Sequence, residues 1–166
     1  MKTKKHEEKY FRKIIDSPTG KLTLIASNIA LKALLFGNTY HGFNKKNLIY
    51  EENDIISKTE KELSEYFKGE RKSFDVPLDP DGTDFQKQTW NELSKIPYAE
   101  TVSYQELAKR VGDIKKARAV GNANGKNPIP IIIPCHRVIA KDGSLGGYGG
   151  GLKIKEFLLN LEKHNN

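Results

Sequence analysis

The chain contains one cysteine, Cys135, and a histidine follows it directly in Pro134-Cys135-His136-Arg137-Val138. A thiol acts as a nucleophile in its thiolate form, and at an ordinary pKa near 8.5 only about 3% is ionised at pH 7. An imidazole close by can withdraw the proton and so activate the sulfur. Side chains of adjacent residues point oppositely on an extended chain. His136 therefore needs a bent backbone or a bridging water to serve Cys135. The competing account of a lone cysteine beside Ile131-Ile132-Ile133 is a small hydrophobe buried in the core. A single cysteine excludes an intramolecular disulfide framework and a CxxC zinc ribbon, so no metal is expected. Five glycines surround Tyr148 between Gly146 and Gly151. They match neither G-x-x-x-x-G-K-[ST] nor G-x-G-x-x-G, so no nucleotide cofactor is implied. They read as a loop folded tightly near a flat ligand.

These residues need a scaffold, and the second half of the chain reads as helical. Phe85–Leu93 forms a short helix that ends before Pro97. Ser103 and Glu106 have the spacing of a reciprocal capping box at the start of another helix. Tyr104, Leu107 and Val111 continue its apolar stripe to Gly112, a residue suited to a helix end. Asp113 then caps a following helix that runs to about Ala123. The three isoleucines read as a buried strand, Asp142-Gly143 as a turn, and Ile154, Phe157, Leu158 and Leu161 as the apolar face of a final helix.

Helix, tight turn, helix is the pattern of a DNA-binding helix-turn-helix, and also of many helix pairs that never meet DNA. Residues 103–126 hold six basic side chains against Glu106 and Asp113. Such a cluster is either a solvated surface or a phosphate-facing one that gains affinity by counterion release. The second of these helices has little bulk at Ala117, Ala119, Gly121 and Ala123, with Arg118 projecting among them. That composition serves close helix packing. It equally lets a helix backbone approach a groove with one long probe.

The first half reads as three strands, Tyr10–Asp16, Lys21–Ser27 and Leu31–Phe36, with Ser17-Pro18-Thr19-Gly20 turning between the first two. Lys21 to Leu24 alternates as a half-buried strand does. Residues 37–52 read as loop, Asp54–Lys68 as a helix stopped by Gly69, and Val76–Gly82 as a linker. The expected architecture is α+β. A small antiparallel sheet with a helix occupies residues 1–80, and a mostly helical, winged-helix-like domain carrying the cysteine occupies 81–166.

Composition narrows the class further. The 166 residues carry 28 Lys+Arg against 21 Asp+Glu, a net charge of +7, and are 37% hydrophobic. That is enough apolar material for a core, so a disordered chain is excluded. No apolar run reaches the roughly 18 residues of a membrane span. Met1 to Lys13 lacks the apolar region of a secretory signal. The expectation is a soluble, cytoplasmic, basic protein without membrane contact.

Pro134-Cys135-His136-Arg137-Val138, followed by Gly146-Gly147-Tyr148 and Lys155-Glu156-x-Leu158-Leu159-x-x-Glu162, resembles the O6-alkylguanine-DNA alkyltransferases, the methylated-DNA–protein-cysteine methyltransferases. The likeness extends through Phe85-Gln86, Trp90, Ile96-Pro97-Tyr98, Thr101-x-Ser103-Tyr104, Ala117-Arg118-Ala119-Val120-Gly121 and Asn127-Pro128. It covers residues 83–163; the first half matches mainly in Ser17-Pro18-x-Gly20. The resemblance implies a protein that flips O6-alkylguanine out of double-stranded DNA and takes the alkyl group onto itself, once. O4-alkylthymine stands as a second candidate base, and no cofactor and a monomer are implied. By resemblance Cys135 is the nucleophile, His136 its base through a water, Glu162 the group orienting His136, Tyr104 the donor to the leaving purine, and Asn127 a tie across the active-site turn. Arg118 would fill the gap in the base stack, with Ala117, Ala119, Gly121 and Gln105 on the DNA-binding surface. Pro130, Val138, Tyr148 and Gly149 would line the base pocket. Gly125 stands where some relatives place an arginine, and the cysteine-bound zinc of some members is not implied here.

Two other classes fit part of the sequence. A non-enzymatic DNA-binding regulator accounts for the helix-turn-helix but leaves the Pro-Cys-His-Arg run unexplained. A cysteine hydrolase with a Cys/His/Glu triad would turn over and would need an oxyanion hole.

Overall fold

A computed structural model describes residues 8–166, so the first seven residues of the charged stretch at the N-terminus lie outside the described residues. Strands β1 (Tyr10–Ile15), β2 (Leu22–Ala26) and β3 (Leu31–Phe36) form an antiparallel meander. The stretch expected as loop adds a short strand, β4 (Leu48–Ile49), which pairs with β1 in parallel, giving the order β3-β2-β1-β4. Helix α1 (Asp54–Phe67) is capped by the Asn53 side chain, which accepts from Ile56 N–H at 3.0 Å.

β2 is buried along its whole length, not half-buried as its alternation predicts. Leu22 and Leu24 pack with Ile56, Leu63 and Tyr66 of α1. On the opposite face Ile25 joins Ala33 and Leu48. Thr23 is accommodated because its hydroxyl donates to Gly37 O at 2.6 Å. A central strand covered on both faces loses the polar alternation that an exposed face would impose.

The expected linker is not free chain. Leu31 N–H donates to Pro77 O at 2.8 Å and Asp79 N–H to Leu31 O at 2.9 Å, so residues 77–79 run along the β3 edge. Just beyond, Leu34 N–H donates to Pro128 O at 2.9 Å. The open edge of the sheet is thereby satisfied by the linker and, at Pro128, by the second half of the molecule.

That half contains α2 (Asp84–Leu93), α3 (Tyr104–Val111), α4 (Ala117–Gly125) and α5 (Leu152–His164), with a parallel pair of short strands, β5 (Val102–Ser103) and β6 (Val138–Ile139). Helix α2 carries a complete capping box between Thr83 and Gln86. At α3, Ser103 accepts from Glu106 N–H at 3.0 Å, but Glu106 turns away to pair with Arg110 at 3.1 Å, so the box is only half made. Asp113 caps a 3₁₀ turn over Ile114–Lys116 that leads into α4. Gly112 makes the turn at φ +125°, a conformation that disfavours any side chain. Trp90 Nε1–H donates to Ala123 O at 2.9 Å and fixes the end of α4 to α2.

One apolar cluster runs from Leu22 and Leu34 through Trp90, Leu107 and Val120 to Ile133, Cys135 and Leu158. Each fully buried aliphatic side chain contributes about 1.5–3 kcal/mol, so the two halves stabilise each other. No helix among the described residues is long and apolar enough to cross a membrane.

Candidate active site

Cys135 stands at the end of a turn, not of a strand. Pro128, Pro130 and Pro134 offer no N–H to a ladder, and Ile131 sits at φ +73°, a region a β-branched residue rarely occupies. Asn127 spans this turn: its Nδ2 donates to Ile133 O at 2.8 Å and its Oδ1 accepts from Ile129 N–H at 2.9 Å. Ile133 O also accepts from Cys135 N–H at 2.8 Å, and Ile133 N–H donates to Ile129 O at 2.9 Å. The isoleucines are buried as expected, but they wedge the turn into the core. Cys135–Arg137 then forms a 3₁₀ turn, the bend that an adjacent Cys and His require.

Behind Cys135 lies a buried ionic cluster. His136 and Glu162 are both fully buried, and His136 Nε2 lies 2.9 Å from Glu162 Oε1. A carboxylate only accepts, so Nε2 carries the hydrogen and Nδ1 holds the lone pair. Nδ1 is buried without a protein partner. Arg137 grips the same carboxylate, Nη2 to Oε1 at 2.6 Å and Nε to Oε2 at 3.0 Å. Tyr66 Oη donates to Oε1 at 3.0 Å, and the N–H of Ala99, a residue at φ +63°, donates to Oε2 at 3.4 Å.

The electrostatics follow from these contacts. Burial raises the Glu162 carboxyl, but the hydrogen bonds and charges of His136 and Arg137 overcome it and hold the group down at about 2. Burial lowers the pKa of His136 against the pull of Glu162, which keeps the imidazole neutral and its Nδ1 lone pair free to accept a proton. Burial pushes the Cys135 thiol up to about 11, opposed by a hydrogen bond from Asn127 and the charge of Lys155. The thiol therefore rests protonated and depends on a base.

Lys155 is fully buried, although its periodic neighbours predict an apolar face. Its Nζ donates to Val138 O at 2.7 Å, to Gly147 O at 3.3 Å and to Leu145 O, so it moors the glycine loop to β6. Phe157, expected on that apolar face, is 37% exposed. The buried stripe of α5 is Lys155, Leu158 and Glu162.

A cavity of about 580 Å³ opens onto Cys135. Pro130, Tyr148, Gly149 and Asn127 line it, whereas Val138 does not. Val138 is fully enclosed in β6, where its carbonyl receives Lys155. The cavity's other wall is Leu34, Phe36, Thr39, His41, Gly42 and Phe43 from the first half, which sequence spacing did not indicate. Phe36 meets the Tyr148 ring edge-on at 5.9 Å, and a Cβ on Gly150 would come within 2.8 Å of the Phe36 ring.

Tyr104, on the first turn of α3, is not among the residues lining this cavity but closes on the same glycine loop. A Cβ on Gly146 would stand 2.9 Å from its Oη, and one on Gly121 would stand 3.6 Å from its ring. Burial raises the Tyr104 pKa, so its hydroxyl stays a donor at neutral pH. On the outer surface Arg118, Ala119 and Gln105 are exposed, with Ala117 and Gly121 half-buried beside them.

A family model described as 6-O-methylguanine DNA methyltransferase, ribonuclease-like domain, matches residues 10–80, and one described as the DNA binding domain of the same proteins matches 84–164. The chain is 48% identical to a methylated-DNA–protein-cysteine methyltransferase of Methanosarcina acetivorans over 90% of this chain and 96% of that protein. It is 48% identical to one from Mycobacterium bovis over 90% of each. Among solved structures, Mycobacterium tuberculosis OGT in complex with DNA superposes with a TM-score of 0.85 at 45% identity, covering 93% of this chain and 94% of that one. An O6-methylguanine DNA methyltransferase from Methanococcus jannaschii superposes at 0.68 with 28% identity, covering 91% and 93%.

Proposed function

The chain belongs to the 6-O-methylguanine DNA methyltransferase family, the methylated-DNA–protein-cysteine methyltransferases, and from that membership we propose what each of its side chains does. The protein repairs DNA by moving the alkyl group of O6-alkylguanine onto Cys135. The observation that carries this reading is the 2.9 Å bond between His136 and Glu162 behind a buried thiol that opens on a base-sized cavity.

An alkylated guanine cannot reach Cys135 from within a duplex, so it must be extruded into the cavity. Arg118, exposed among small residues on α4, fills the space it leaves. Nδ1 of His136 accepts the thiol proton through a water, and Glu162 stabilises the imidazolium that forms. The sulfur attacks the alkyl carbon as the carbon–O6 bond breaks, and the electron pair moves into the purine. Tyr104 supplies a proton to that purine, since its anion is a poor leaving group. One proton leaves sulfur and one reaches guanine. The imidazolium then releases its proton to water and Tyr104 regains one from water, so the products are a thioether, an unmodified base and both side chains neutral. A thioether has no hydrolytic exit, so each chain acts once. Asn127 keeps the turn that presents Cys135, while Pro130, Tyr148 and Gly149 contact the base.

Intact mass after incubation with free O6-benzylguanine tests this. One benzyl adduct per chain on Cys135, absent from Cys135→Ser, is the expected result. Continued turnover, or no adduct at all, overturns it.

A further inference from the structure

Tyr66 lies on α1 in the sheet domain, 96 residues before Glu162. Its ring is fully buried, against Phe67 and Phe74 with centroids at 5.4 Å and against Tyr98 at 6.2 Å. A tyrosine needed only for packing has no use for a hydroxyl there. That hydroxyl donates to Glu162 Oε1 at 3.0 Å, the same oxygen that takes His136 Nε2 at 2.9 Å and Arg137 Nη2 at 2.6 Å. Arg137 already balances the charge of the carboxylate. The contribution left to Tyr66 is to fix the carboxylate in place and to share the electron density of one oxygen with the imidazole.

We propose that Tyr66 is a positioning residue for alkyl transfer, holding Glu162 from the sheet domain and tempering its pull on His136. This rests on His136 being the base of the proposed reaction. The sheet domain then does more than wall the cavity: it sets the strength of that base. Burial raises the pKa of Tyr66 and Glu162 adds to the rise, so its hydroxyl stays a donor at every working pH. The other ionisable groups facing the pair are Cys135, Arg137, Lys155, Tyr98 and Tyr148, all of which a Tyr66→Phe substitution leaves in the sequence.

The sign follows directly. Without the hydroxyl, Oε1 regains electron density, the imidazolium is better stabilised, and His136 binds its proton more tightly. A stronger base is protonated at higher pH, so less of it is free in mild acid. Tyr66→Phe should move the acid limb of the single-turnover rate with free O6-benzylguanine up by about half a pH unit. That is a roughly threefold loss on the acid limb that disappears above pH 7. A 3,5-difluorotyrosine placed at position 66 keeps the ring and sharpens the donor, and should move the limb the other way. In a Glu162→Gln background neither change should have a further effect, because the action passes through that carboxylate. The His136 ring titration, followed by NMR in the unreacted protein, should shift in the same directions as the rate.

A rate change equal at every pH, or a shift that survives Glu162→Gln, overturns the proposal. If Tyr66→Phe does not fold, the fluorinated variant and its NMR titration decide alone. If the wild-type protein forms no Cys135 adduct, the functional reading fails. The NMR titration still tests whether Tyr66 controls His136.

Discussion

Glu162 and Arg118 are both charged residues on helices, and they occupy opposite environments. Glu162 is fully enclosed and takes hydrogen bonds from His136, Arg137, Tyr66 and the Ala99 amide. Arg118 is exposed on α4, flanked by Ala117 and Ala119. A buried, fully engaged carboxylate acts on protons and is shielded from salt and solvent. An exposed guanidinium with bare neighbours acts on whatever approaches the surface. On the roles proposed above, bond-making belongs to the interior and recognition of the duplex to α4. Substrate chosen with or without a duplex separates the two experimentally.

The largest effect is expected inside. His136→Ala should slow transfer by about 10²- to 10⁴-fold on free O6-benzylguanine and methylated duplex alike, with DNA affinity nearly unchanged. The pH dependence should change in kind. With the thiol pushed up to about 11, the variant reacts only through its thiolate. Its rate should then rise about tenfold per pH unit from 7 to 9. The wild-type rate should stay flat over that range if neutral His136 is the base, as proposed. Glu162→Gln should slow transfer less. Matching profiles for wild type and His136→Ala would break the assignment of an interior relay.

The next effect is smaller and confined to duplex. Arg118→Ala and Arg118→Lys should each slow repair of methylated duplex by roughly 10- to 100-fold, since unstacking a base costs a few kcal/mol. A lysine would serve as well as arginine if only charge mattered, but an ammonium cannot stack as a planar guanidinium does. Reaction with the free base should be unaffected. Equal losses on both substrates would show that Arg118 supports the fold and would erase the contrast with Glu162.

Legibility in the sequence follows the same division. The helix-turn-helix, the Ser103 side of its cap and the α1 boundaries were readable because each depends on residues within a few positions. Asp113, by contrast, caps a 3₁₀ turn and not α4 itself. Cys135, His136 and Glu162 were readable as a group only through family resemblance, since no local rule joins positions 135 and 162. Three isoleucines pass as a strand until the prolines around them remove its donors. Lys155 and Glu162 sit at helical spacing on a face that charge alone would assign to solvent. Their burial depends on a β6 carbonyl, two loop carbonyls and an arginine brought in by the fold. Tyr66 gave no signal at all, because a tyrosine at an apolar helical position looks like core. Only the packing of α1 against α5's carboxylate reveals its second use.

The smallest effect tests whether the basic stretch before α4 touches DNA or simply faces water. Lys115 and Lys116 lie in the 3₁₀ turn ahead of α4, both exposed. They differ in one respect: Lys116 Nζ stands 5.7 Å from the centroid of the Phe85 ring. A lysine that neutralises one phosphate contributes about 0.9 to the slope of log affinity against log salt. Lys115→Ala should therefore lower that slope by about one, weaken duplex binding by several fold at moderate salt, and leave the free-base rate unchanged. Lys116→Ala should do the same and also lower folding stability by about 0.5–1 kcal/mol, the worth of an exposed cation over an aromatic face. Salt titrations of duplex binding beside denaturant unfolding of the two variants distinguish these contributions. If neither substitution moves the slope, the lysines are a solvated surface. DNA contact by α4 would then rest on Arg118 and its small neighbours without help from the turn before it.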